Sequence, residues 1–157
     1  MTKKRRSRRT SSSTGSRRRR NPSTAPKVRP FVRSLAERAT TSQVDLKPGK
    51  PTTIDGRLRL YWHVYFKGHK AGHVAIDHPV EDGNSQASIN VHLNKLHRGF
   101  GIGSIAFRQA CELSGLHEVL ASIRKSNIAS RIAAERAGFV EISGTPGREL
   151  LMIWSRK

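Results

Sequence analysis

The sequence predicts an α/β (α+β) chain, a mixed sheet with helices on its faces, preceded by a disordered basic N-terminal arm. Three observations predict it. Apolar residues recur at every second position from Leu58 to Phe66 and from Ala87 to Leu93, the period of half-buried strands. A glycine-rich stretch, His97-Arg98-Gly99-Phe100-Gly101-Ile102-Gly103-Ser104, joins the second run to an amphipathic run, Ile102 to Leu113. Charge is unevenly spread: residues 1–40 hold 14 Lys/Arg and one acid, Glu37, whereas residues 41–157 hold 16 Lys/Arg and 10 acids.

The first segment is low-complexity, with Lys3-Lys4-Arg5-Arg6, Arg8-Arg9, a Ser/Thr stretch, Arg17 to Arg20, then Pro22, Pro26 and Pro30. It has no periodic apolar face, so burial cannot offset its ordering entropy. Residues 1–42 are therefore expected to be a disordered Arg/Lys/Ser-rich arm, and residues 43–157 the folded domain. No apolar stretch follows the charges as in a secretory signal, and no run of 18 apolar residues exists to cross a membrane. An organelle transit peptide has a similar composition, but the amphipathic period of one is missing. Such an arm suits nucleic acid, a ribosome or another polyanion, by salt-sensitive contact through residues 1–40. The alternative is a solvated tail. With no aromatic residue before Phe31, the arm cannot stack on bases.

The remaining elements follow in order. Phe31 to Arg38 reads as a short helix after Pro30. Thr40 to Gly56, with Pro48, Gly49, Pro51 and Gly56, reads as loop. Leu58, Leu60, Trp62, Val64 and Phe66 alternate with polar or amphipathic residues and predict a strand. Gly68 to Gly72 is a turn, and His73 to Asp77 the returning strand of a hairpin. Pro79 to Gln86 is a polar loop. Ala87, Ile89, Val91 and Leu93 line one face of the next strand, with Ser88, Asn90 and His92 on the other. The helix after the glycine stretch ends near Gly115. Val119 to Ile123 reads as a buried strand. Ser126 or Asn127 caps a second helix with an apolar stripe of Ile128, Ile132 and Ala133, and Gly138 ends it. Phe139 to Ile142 and Leu150 to Trp154 are the last strands, joined through Gly144-Thr145-Pro146-Gly147.

Strand, glycine-rich turn and helix start make an anion site. Gly99, Gly101 and Gly103 let the backbone turn tightly and approach a ligand. The first helical N–H groups have no partner within the helix and carry the positive end of its dipole. A phosphate or pyrophosphate fits there, with Arg98 adding a formal charge. The competing explanation is an ordinary strand-to-helix turn.

Two stretches together carry a family resemblance. Arg98-Gly99-Phe100-Gly101-Ile102-Gly103 resembles the Arg/Gln-x-x-Gly-x-Gly/Ala acetyl-CoA loop of the GNAT N-acetyltransferase superfamily. Asn127-Ile128-Ala129-Ser130, followed by Gly138-Phe139, resembles the superfamily's second motif. The Asn-x-x-Ser form is similar to the branch that acetylates ribosomal-protein N-termini and some antibiotics. The resemblance covers about residues 58–157. It implies a mostly antiparallel sheet in which the loop-preceding strand and the Val119–Ile123 strand lie parallel and splay apart to hold acetyl-CoA as co-substrate. It implies that the Leu93 backbone meets the thioester region, that Arg98, Gly99, Gly101, Gly103 and Ser104 bind pyrophosphate, and that Asn127 holds the pantetheine arm. A plain helix cap is the alternative for Asn127. Most members also place a first strand and two helices before residue 57, where this chain has little room, so the acceptor side is open, built by a partner, or built by the arm.

One departure bears on catalysis. Many members carry a Tyr seven residues after the motif Asn, to protonate the leaving thiolate; that position is Ala134. Ser130 is the nearest replacement, unless it only bonds its own helix. For a base, His92 lies on the polar face of its strand and titrates near neutral pH. Asn90 beside it can only position water, and His63 and His73 are weaker candidates. A plain surface histidine is the other reading of His92. The seven histidines form no recognised metal-ligand pair, and Cys111, the single cysteine, reads as core filler in a reducing compartment, so no metal is expected and the cytoplasm is the expected location. The expectation is an N-acetyltransferase acting on a primary amine, with an RNA- or ribosome-linked amine or a protein N-terminus suiting the basic surface. A homodimer is left open. The alternative is a non-catalytic nucleic-acid or ribosome-binding protein of the same fold with a vestigial acyl-CoA site.

Overall fold

The computed structural model describes residues 38–80, 86–142 and 147–157. The basic arm to residue 37, most of the expected Phe31–Arg38 helix, the middle of the Pro79–Gln86 loop and Gly144 to Pro146 lie outside the described residues. The strands are β1 (Val44–Pro48), β2 (Thr52–Ile54), β3 (Arg57–Phe66), β4 (His69–Pro79), β5 (Ser88–Leu93), β6 (Glu118–Arg124), β7 (Val140–Glu141) and β8 (Glu149–Ser155). The helices are α1 (Ile102–Ser114) and α2 (Ile128–Ala137).

Eight strands form one sheet in the order β1-β3-β4-β5-β6-β8-β7, with β2 pairing β3. All pairings are antiparallel except β5 with β6, which are parallel and register at a single pair, Ser88 with Leu120. A 2.8 Å bond from the Leu120 N–H to the Ala87 carbonyl joins them at that end. Past it the strands part.

Period-2 patterning decides which face is buried. Trp62, Val64 and Phe66 of β3, Val74 and Ile76 of β4, Ile89 of β5 and Val119, Ala121 and Ile123 of β6 point into one core. There Ile102, Ala106, Phe107, Ala110 and Cys111 of α1 meet them. Helix α2 packs beside α1 on this same face, where Gly103 and Ala133 face each other and Phe107 meets Phe139 edge-on at 5.5 Å. Among the described residues no helix covers the opposite face of β3, β4 and β5.

Several expectations are corrected. Residues 40–56 are not loop throughout: they contain a 3-10 turn, Thr41–Gln43, and the strands β1 and β2. Val44 and Leu46 pair with β3 and bury in the core, and Pro48 is tolerated because β1 is an edge strand. The hairpin turn is tighter than Gly68 to Gly72, since β4 starts at His69. Strand β6 is buried on one face only, with Leu120 half-buried and Ser122 exposed. In α2 the expected stripe holds only at Ala133, which packs against the core: Ile128 and Ile132 are exposed at 63% and 39%, and Ala134 and Ala137 are the buried residues. Alanines win because α2 approaches α1 closely.

Candidate active site

A cavity of about 450 Å³ lies between the end of β5, the glycine-rich loop with the start of α1, and α2. It is lined by Leu93, Arg98, Gly99, Gly101, Gly103, Ser104, Asn127, Ser130 and His92, whereas Asn90 and the weaker base candidates His63 and His73 do not line it.

Each arrives by a local cause. Gly99 and Gly101 have φ of +84° and +83°, the left-handed region that side chains rarely adopt, and the space where a Cβ would stand is open at both. Gly101 is the N-cap of α1 and has no side chain to bond the first-turn N–H groups. Those donors and the helix dipole therefore face the cavity without a protein acceptor among the described side chains. Gly103 serves another purpose: a Cβ there would sit 3.4 Å from that of Ala133, so its bareness sets how closely the helices meet.

The Arg98 guanidinium is anchored where Nε donates to the Leu93 carbonyl at 3.0 Å. The Ser104 hydroxyl donates to the Gly101 carbonyl at 2.8 Å, so toward a ligand Ser104 offers its backbone. Asn127 is an N-cap, with Oδ1 accepting from the Ser130 N–H at 3.2 Å. That use leaves its amide Nδ2 hydrogens, so the cap and ligand roles are compatible. Ala134, where many GNAT members carry a Tyr, is fully buried in the core and presents no group to the cavity. Arg136 also lines the cavity, a basic residue that the sequence reading passed over because it sits a full two turns into α2.

His92 reaches the cavity from the uncovered face. Residues His63, His73 and His92 are in direct register across β3, β4 and β5. The rings of His73 and His92 stack at 5.1 Å, and Tyr61 stacks on His73 at 5.5 Å. Desolvation, followed by His92, Lys70 and His63, holds the His73 pKa below the usual histidine value. Sequence reading placed His73 second to His92; only strand register shows that they touch.

No family model and no curated protein matches the sequence. Solved structures do match. The GNAT domain of Streptomyces lividans PAT superposes with a TM-score of 0.56 at 15% identity, covering 67% of this chain and 65% of that one. The fold is the GNAT fold. Mycobacterium smegmatis RimJ in complex with CoA-disulfide is similar at TM-score 0.52 and 22% identity over 62% of this chain. The match spans about half of RimJ, 53% of its length. Spermidine N-acetyltransferase from Vibrio cholerae, in complex with CoA and spermine, is similar at TM-score 0.52 and 18% identity, covering 62% and 65%. The mostly antiparallel sheet, the single splayed parallel pair and the glycine loop at the α1 start agree with the GNAT expectation. Among the described residues no cluster of His, Cys, Asp or Glu has the arrangement of a metal site, and no helix is long and apolar enough to cross a membrane.

Proposed function

We propose that the protein is an acetyl-CoA-dependent N-acetyltransferase that transfers an acetyl group to a primary amine. One observation carries the reading: the start of α1, uncapped by any side chain behind left-handed Gly101, lines the cavity that the end of β5 and α2 share. Arg98 and the backbone of Gly99, Gly101, Gly103 and Ser104 hold the pyrophosphate, and the Asn127 amide holds the pantetheine arm. The end of β5 at Leu93 receives the thioester region.

The chemistry asks for alignment and two proton transfers. His92 takes a proton from the acceptor ammonium. The freed nitrogen attacks the thioester carbonyl carbon, the C–N bond forms and the C–S bond breaks. The surplus proton of that nitrogen passes to the thiolate through the Ser130 hydroxyl, in place of the phenol that Ala134 cannot supply.

The acceptor enters from the uncovered sheet face. Residues 1–42 act as a basic arm, and the charge of residues 1–40 favours an amine carried on RNA or a ribosome, or a protein N-terminus, over a polycation. The buried, reduced Cys111 suits the cytoplasm.

Calorimetric titration with acetyl-CoA tests the cofactor site, using wild type, Gly101→Glu and Gly101→Ala. Alanine reproduces the backbone strain, and glutamate adds bulk and negative charge. Binding by wild type and Gly101→Ala that Gly101→Glu abolishes is the expected result. Absence of binding to folded wild type refutes the transferase.

A second reading is a nucleic-acid or ribosome-binding module with a vestigial acyl-CoA site. The buried Ala134 favours it. It predicts salt-dependent RNA binding through residues 1–40 without turnover of any amine.

A further inference from the structure

The rings on the uncovered face are arranged around His92. From β3 to β5 they run Tyr61, His73, His92, each stacked on the next with planes 23° apart. His63 closes the far end, edge-on to Tyr61 at 5.0 Å. Tyr61 is itself backed by Gly49, whose missing Cβ would stand 2.6 Å from the Tyr61 ring. At the other end, β5 borders the gap that opens toward β6, so the row stops at the cavity that His92 lines.

We propose that His73, supported by Tyr61, is a positioning residue that fixes the His92 imidazole on edge at the mouth of the cleft. The proposal rests on the transferase reading for its kinetic consequence, but the ring arrangement stands apart from it. His92 is otherwise an exposed strand side chain with no hydrogen bond to orient it among the described residues. A stacked ring removes its rotamer freedom at little cost, because the partner ring is half-buried and held by its own neighbours.

The electrostatics suit a base. A charge on His92 opposes a charge on the stacked His73. His73 is the more desolvated ring and faces Lys70 and His63 as well as His92. Burial thus biases His73 toward its neutral form, and His92 is the exposed ring of the pair. From the cavity side, Arg98 of the loop and Arg136 of α2 are the charged groups that share the lining with His92, with Ser130 beside them. None is an acid that would trap His92 as a cation.

The test compares His73→Ala, His73→Phe and His92→Asn in the full chain, by steady-state kinetics with acetyl-CoA and by NMR of the histidine ring C–H groups across pH. His73→Ala is expected to lower kcat by about 10- to 100-fold, the cost of losing alignment, with KM for acetyl-CoA little changed. His73→Phe keeps a flat ring and restores most of the lost kcat and the acid limb of the pH profile. A purely structural His73 would give equal loss in both variants, and that outcome overturns the proposal. In the NMR arm, wild-type His92 signals carry the ring-current shift of a stacked partner and move in His73→Ala. His92 signals unmoved by His73→Ala also overturn it. If wild type turns over no amine, the transferase reading fails while the NMR arm still decides whether His73 holds His92.

Discussion

Gly72 lies directly against the His92 backbone: a Cβ at Gly72 would overlap the His92 carbonyl oxygen and stand 2.9 Å from Leu93 Cα. Both obstacles are main chain, which a rotamer change cannot move. Gly72→Ala should therefore force β4 and β5 apart and cost about 1–3 kcal/mol, the range of overpacked cores. Urea unfolding measures it. A midpoint equal to wild type would show that the strands do not approach this closely.

Asn127 separates folding from binding. Its Oδ1 caps α2, so Asn127→Ala should cost about 0.5–2 kcal/mol. Asn127→Asp keeps the capping oxygen and loses the amide donor. On the transferase reading it should unfold like wild type and bind acetyl-CoA more weakly. Equal affinity in Asn127→Asp would confine Asn127 to its cap.

Asp77 and Arg59 pair in two hydrogen bonds, at 2.6 and 2.8 Å, on the uncovered face. The Arg59 bond, acting against desolvation, holds the Asp77 carboxyl below its ordinary 3.8. A depressed carboxylate contributes stability that is complete above the unfolded value and fades as pH falls through the folded one. The pair is partly exposed, with 41% and 25% of the two side chains accessible, so Asp77→Asn should cost no more than about 1 kcal/mol at pH 7. Thermal melts should show that difference shrinking below pH 3.8. A difference that persists undiminished at pH 2 would assign the loss to packing.

Cys111 is buried in α1, and desolvation pushes its thiol up to about 12. A disulfide reagent at pH 8 should leave it untouched in the native protein and titrate one thiol in denaturant. Fast native labelling would mean that α1 opens locally. Cys111→Ser should cost about 1–3 kcal/mol by burying a hydroxyl.

Much of this was legible in sequence. The β3 alternation and the order of strand, glycine stretch and helix came from local periodicity, which survives because one face of each element is buried and the other is not. Gly101 and Gly115 ended up left-handed at the two ends of α1, as turn chemistry demands. The failures have a common cause: they depend on what an element packs against. Pro48 read as a breaker, yet it ends an edge strand, which has one side with no ladder to break. Ile128 and Ile132 read as a core stripe, yet the close seat on Gly103 admits only alanines. The stacking of His73 on His92 is set by strand register, and nothing in the eighteen positions between them announces it.

The lone pairing of Ser88 with Leu120 gives this sheet a third edge, in its middle rather than at its margins. Exposed strand edges invite chance pairing with other chains, and proteins usually blunt them with charge, proline or bulges. Here the end of β5 past that pair shares a cavity with the glycine loop, the start of α1 and α2, so a loop and two helices stand where an open margin would face solvent. The chain thus keeps backbone hydrogen-bonding groups available for recognition without offering a seed for aggregation.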